Sequence, residues 1–147
     1  MLALIQRVTH AQVSVDGETV GAIDAGLLAL VGVQPDDGDA AVARMADRLL
    51  GYRVFADAAG RMNRSLADCG GGLLLVSQFT LAADVSRGHR PGFSGAAGAE
   101  LGRRLYERAL ATARRLHGDV AGGEFGADMQ VSLVNDGPVT IPITLRA

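Results

Sequence analysis

Two short polar segments hold the residue types from which a reactive site could be built. Ser77-Gln78-Phe79-Thr80 closes the apolar run Leu73-Leu74-Leu75-Val76. Hydroxyls, an amide and free backbone N–H groups at a strand end sit at a rigid position. These are the parts that orient a polarised carbonyl and stabilise the oxyanion formed from it. The same side chains serve equally well as hydrogen-bonding partners of an ordinary turn. The second segment is Asn135-Asp136-Gly137-Pro138-Val139-Thr140. On pattern alone it is a turn between two strands. The other reading is a cis Gly137–Pro138 bond, because proline lowers the cost of cis and a preceding glycine removes the Cβ clash. Two carbonyls would then aim in nearly one direction, a rigid gauge for a small ligand.

The usual catalytic signatures are missing. There is no G-x-S-x-G elbow, no Walker loop, no H-E-x-x-H and no paired cysteines. His10, His89 and His117 are scattered along the chain, so neither a metal site nor a cofactor is expected. Cys69 stands beside glycines with no histidine close in sequence, and reads as a buried or bystander thiol rather than a nucleophile. A protein-nucleophile hydrolase using Thr80 or Ser86 with His89 and Asp84 stays open at this level, as does a non-catalytic RNA-binding or scaffold protein.

The elements that position these groups belong to one domain. At 147 residues, with 48% hydrophobic and 20% charged residues, the chain is long enough for a real core. Aromatics make up only 4% and there is no Trp, so Leu, Val, Ile and Ala must fill that core. The net charge of -2 argues against a general nucleic-acid coater. Local arginines can still hold a few phosphates, and all 14 basic residues are Arg. One cysteine excludes an intrachain disulfide. The opening apolar stretch is too short for a signal peptide, and no run approaches the roughly 18 apolar residues of a membrane span. A cytoplasmic protein with no membrane partner is expected.

Residues 2–15 alternate and are rich in β-branched side chains, Asp16-Gly17 is a two-residue turn signal, and 19–23 returns as the second strand of a hairpin. Residues 27–33, 52–55, 73–79, 129–134 and 139–145 read as further strands. Residues 36–51 switch to helical period, with Ala41, Met45, Ala46, Leu49 and Leu50 on one face. Residues 99–117 form a second helix, with Leu101, Leu105, Ala109, Thr112 and Leu116 inward and Arg104, Arg108 and Arg115 on a solvated face. Residues 80–98 show no period and carry Arg87, His89 and Arg90, which marks a functional loop. The result is a mixed α/β domain of mostly strands covered by two helices, without a nucleotide-binding βαβ repeat.

The two polar segments also carry a resemblance. Ser77-Gln78-Phe79-Thr80-Leu81 and Asn135-Asp136-Gly137-Pro138-Val139-Thr140 resemble the two signature motifs of the D-aminoacyl-tRNA deacylase family. The likeness runs nearly end to end, through Leu4-Ile5-Gln6-Arg7-Val8, Gly26 to Val33, Met62-Asn63, Arg90-Pro91 with Phe93, and Gly123-Glu124-Phe125-Gly126-Ala127-Asp128-Met129. Ala82 stands where Tyr is common in the family, and Gly92 where Ser is common. The resemblance implies a barrel-like core of mostly antiparallel sheet and a homodimer in which Gly137 and Pro138 reach into the partner's site. It implies hydrolysis of the ester linking a D-amino acid to tRNA, with Ser77, Gln78, Phe79 and Thr80 as catalytic residues.

An aminoacyl ester is already activated and has a ribose hydroxyl beside it, so such a site needs positioning more than a strong base. Backbone N–H groups around Phe79 and Thr80 would hold the carbonyl. The tRNA's own 2′-hydroxyl would assist the reaction, and L side chains would collide with the Gly137–Pro138 corner. Glycine has no side chain to reject, which makes glycyl-tRNA an expected second substrate. Arg87, His89 and Arg90 are the expected tRNA contacts.

Overall fold

The computed structural model describes residues 1–146. Strand β1 (Leu2–Val15) turns at Asp16 and Gly17 into β2 (Glu18–Ile23). Both turn residues have positive φ, 51° and 80°, which is the demand of the tight hairpin turn that an Asp-Gly pair meets. β3 (Gly26–Gly32), α1 (Asp39–Gly51), β4 (Phe55–Ala56), β5 (Met62–Arg64), α2 (Leu66–Cys69) and β6 (Gly72–Ser77) follow. After a 3-10 turn at Phe79–Ala82 come α3 (Ala99–Leu116), β7 (Val120–Gly122) and β8 (Gln130–Thr144).

The main sheet runs β2-β1-β3-β6-β7, and β8 lies along the other edge of β1. β1 pairs antiparallel with β2, β3 and β8, whereas β3–β6 and β6–β7 are parallel. The curl nearly closes into a barrel where β2 meets β7. There a Cβ on Gly21 would lie 2.2 Å from the carbonyl oxygen of Gly122, so only glycine allows the approach.

β3 and β6 are buried on both faces, which is why their sequences read as unbroken apolar runs. Leu27, Ala29, Leu73 and Leu75 point outward under the helices, with Met45 and Leu49 of α1 and Leu105 and Tyr106 of α3. Leu28, Leu74 and Val76 point inward with Val8, Ala11, Val13 and Ile23. α1 buries Ala41, Val42, Met45, Ala46, Leu49 and Leu50 at the spacing of one helical face. α3 differs in detail, because Gly102, Tyr106 and Ala113 are buried while Leu116 is 53% exposed. The apolar face is turned by about one residue relative to the sequence pattern.

The mixed α/β, barrel-like architecture is the expected one, with local corrections. A third helix, the single turn α2, is present, closed by a capping box in which Ser65 and Asp68 satisfy each other's backbone N–H. The strand expected at 52–55 is reduced to Phe55–Ala56, and the one expected at 73–79 ends at Ser77. The stretch 80–98 is not one continuous loop: its start is the 3-10 turn, and Asp84 and Gly92 pair through two backbone hydrogen bonds of 2.7 and 2.9 Å. Gly92 leaves room for a side chain at the position where serine is common, since a Cβ there would be 3.8 Å from that of Asp84.

The largest correction concerns 129–145. Asn135 to Thr140 do not reverse the chain; both halves belong to the one strand β8 and pair with β1. Gln6 faces Thr140 and Val8 faces Asn135. The four residues Asp136, Gly137, Pro138 and Val139 therefore stand opposite the single residue Arg7, and the surplus is pushed outward as an extended bulge.

Tyr106 fastens the sheet to the loop after β7. Its buried hydroxyl donates to the Leu75 carbonyl at 2.8 Å and accepts from the Gly123 N–H at 3.2 Å. Burial pushes this phenol up from its ordinary value. A folded-state value above the unfolded one means that the associated stability is full below about pH 10 and is lost as pH rises further. Tyr106→Phe is expected to cost about 1–3 kcal/mol at neutral pH, because two partners lose their bond. It should also flatten the decline of stability above pH 10, both effects being read from urea unfolding across pH.

Candidate active site

β6 delivers Ser77 and Gln78 to the end of the sheet, half-buried, and Phe79 and Thr80 follow exposed in the 3-10 turn. The Gln78 N–H is used by the Val31 carbonyl at 2.8 Å, and the Leu81 N–H by Gln78 at 3.3 Å. Between them, the N–H groups of Phe79 and Thr80 open the turn and have no carbonyl acceptor among the described residues. The Gln78 side-chain amide donates to the Thr80 hydroxyl oxygen, which leaves the hydroxyl proton free to donate elsewhere.

Beside this turn lies a cavity of about 510 Å³. Ser77, Gln78 and Phe79 form its polar edge, and Val33, Val76, Phe125, Met129 and Val131 much of its apolar wall. Phe79 packs edge-on to Phe93 with ring centroids 5.1 Å apart, which ties the closed base of the 84–92 excursion to the turn. Gly137 and Pro138 are exposed on the outward bulge and do not line the cavity of their own chain.

The bulge is held rigid from behind. The Gly137–Pro138 bond is cis, and Gly137 has φ +131°. Arg7 donates from Nε to the Asp136 carbonyl at 3.0 Å and from Nη1 to the Val54 carbonyl at 2.7 Å. Asn135 accepts from the Val139 N–H at 3.0 Å and donates to the Thr140 hydroxyl at 2.8 Å.

The alternative constellation of Thr80 or Ser86 with His89 and Asp84 does not come together. The Asp84 carboxylate accepts from the Ser86 N–H at 2.9 Å, and bonds from Ser86 hold its acid dissociation below the usual carboxylate value. Among the described residues His89 makes no hydrogen bond to Thr80, Ser86 or Asp84. Arg87, His89 and Arg90 are all exposed on the excursion. Cys69 is exposed, not buried, its thiol against the Leu66 carbonyl. No three His, Cys, Asp or Glu side chains among the described residues cluster as a metal site, and no helix there is long and apolar enough to cross a membrane.

A polar strand end and a braced Gly-Pro bulge share one near-closed sheet. Residues 4–144 match the family described as D-Tyr-tRNA(Tyr) deacylase. The chain belongs to the D-aminoacyl-tRNA deacylase family. A relative of that name from Methylibium petroleiphilum is 63% identical, covering 99% of this chain and 95% of its own. One from Azotobacter vinelandii is 66% identical over 95% of this chain and 97% of its own. Among solved structures, a c-Myc DNA unwinding element binding protein superposes with a TM-score of 0.95 at 38% identity, over 100% of both chains. A probable eukaryotic D-amino acid tRNA deacylase superposes with 0.85 over 97% of both chains; at 18% identity it speaks to the fold. The deacylase fold thus supplies the frame for the site described above.

Arg7 is the residue that sequence reasoning passed over. It stood in the resemblance without a role, although a charge between the buried Ile5 and Val8 was a signal that something polar had to meet it. Phe125 and Met129, part of the family resemblance, come to the cavity wall only through the fold. Arg7→Met should lower unfolding free energy by about 2 kcal/mol, because two carbonyls lose a charged donor. Urea denaturation would register this, and an unaltered midpoint would remove Arg7 from the brace.

Proposed function

We propose that this deacylase hydrolyses D-aminoacyl-tRNA, and glycyl-tRNA as well, at the cavity beside Ser77–Phe79. The observation that carries the reading is the pairing of an apolar cavity with two acceptor-free N–H groups, that of Phe79 at its edge and that of Thr80 next in the turn. About 510 Å³ suits a terminal nucleoside, with its ester at the polar edge. The N–H groups would stabilise the carbonyl oxygen as it becomes an oxyanion. Gln78 orients Thr80, whose free hydroxyl proton lies close to the reacting ester. With no base hydrogen-bonded to Thr80, the attack is assigned to a water positioned by the 2′-hydroxyl of the tRNA itself; the new carbonyl C–O bond forms as the ester bond breaks, and the ribose 3′-oxygen leaves with a proton as a hydroxyl.

Chirality is read by the Gly137–Pro138 corner of a second copy in a homodimer. Three features support this: the corner points outward, Arg7 and Asn135 hold it still, and it is missing from its own chain's cavity. The exposed Val131 and Val134 of β8 supply an apolar flank for the copy, and Val131 also borders the cavity. With the α-amino group on the corner's carbonyls, an L side chain meets fixed backbone while a D side chain points to solvent. Overpacking of this kind costs about 1–3 kcal/mol. Glycine presents nothing to reject. Arg87, His89 and Arg90 contact tRNA phosphates, and the reaction takes place in the cytoplasm.

Matched D-, L- and glycyl-tRNA incubated with the protein should lose the D and glycyl esters and keep the L ester. D selectivity should persist in His89→Ala; its loss would point to a histidine-dependent nucleophile instead. Gly137→Ala should reduce D cleavage or chiral discrimination roughly ten- to a hundredfold, from a strained positive φ and a crowded Cβ. That Cβ would lie 3.0 Å from both Arg7 Nη2 and Val139 Cγ2. An indifferent Gly137→Ala would dismiss the corner. Arg90→Ala should weaken every tRNA alike and flatten the salt dependence, a change confined to one amino acid being the contrary result.

A further inference from the structure

We propose that Arg103 binds a backbone phosphate of the tRNA 3′ end where the strand leaves the cavity, an inference that rests on the function proposed above. The Arg103 guanidinium lies over the Phe125 ring, 4.9 Å from its centroid. Its Nη2 is 3.9 Å from the point where a Cβ on Gly126 would stand. Phe125 and Gly126 both line the cavity, so the charge sits on the cavity's rim. Gly102 permits this, because a Cβ there would come within 3.3 Å of Phe125. An arginine stacked on an aromatic face keeps its in-plane N–H donors available.

Arg103, Arg104 and Arg108 all make exposed, loose ion pairs, and the stacking on Phe125 is what sets Arg103 apart. Arg104 and Arg108 turn toward Asp39 at 4.0 and 3.5 Å. Arg103 has only Glu107, 3.8 Å away, with both side chains more than half exposed, a pairing that a phosphate displaces readily. From the rim a second groove, of about 410 Å³, continues along α3 between Ala99, Glu100, Arg103, Arg104 and Glu107, sharing Ala99 with the cavity. A terminal nucleoside seated in the cavity puts its 5′ phosphate at the mouth. Arg103 is the cation stacked on the wall there.

The experiment compares two D-aminoacyl esters: intact D-aminoacyl-tRNA, which carries the 5′ phosphate of its terminal nucleoside, and a 3′-O-D-aminoacyl adenosine, which lacks that phosphate and the rest of the strand. Arg103→Gln should raise the ratio of KM for the tRNA to KM for the adenosine ester about fivefold or more, and reduce the log–log salt slope of uncharged tRNA binding by about 0.7. Glu107→Gln, which removes the competing carboxylate, should move the ratio the other way. Equal changes in both KM values would mean that Arg103 only shapes the Phe125 wall, and no change would mean that it is solvated; either overturns the proposal. If the unsubstituted protein cleaved neither ester, the deacylase reading would fail, while the salt slope would still decide the phosphate contact.

Discussion

Four residues of β8 have to pass a single residue of β1, and because β8 pairs with β1 again on either side, the excess has only one direction to take. Outward displacement strips the Asp136–Val139 backbone of ladder partners, and side chains take over what the sheet would have done. Arg7 and Asn135 supply those bonds. The bulge is therefore as fixed as the sheet behind it while exposing its carbonyls. A hairpin turn of the same composition would have been more mobile and would have pointed along the strand direction.

The cavity depends on a different constraint, the termination of β6. Parallel pairing with β3 carries the apolar run as far as Ser77, and the chain then winds into a 3-10 turn that spends its carbonyls but not its first N–H groups. The opposite wall comes from the loop after β7, tied through Gly123 to the phenol of Tyr106 and so to the Leu75 carbonyl. Cavity edge and cavity wall are thus fastened to the same strand.

Much of this was legible in the residues. Asp16-Gly17 announced its hairpin because few other pairs tolerate two positive φ angles. β3 and β6 were visible as apolar runs, and α1 as a clean helical face. Ser77 to Thr80 stood out as polar groups closing such a run. What escaped depended on neighbours distant in sequence. β7 has only three residues, and its strand character exists through β6 alone. Gly137-Pro138 is locally the composition of a turn; only the pairing of both flanks with β1 makes it a bulge. Phe125 and Arg103 have no local signature, and Arg7 shows only as a charge in an apolar strand; each acquires its role from what lies across the fold.

The Asp84–Gly92 pair carries a consequence for how the surface around the site can vary. Two backbone bonds close the neck of the excursion, and the Phe79–Phe93 contact anchors it to the 3-10 turn. Residues beyond the neck are mechanically insulated from the cavity. Lengthening the tip is cheap, about 0.6 kcal/mol for each doubling of a flexible loop. The excursion can therefore change size and charge while the geometry beneath it stays the same.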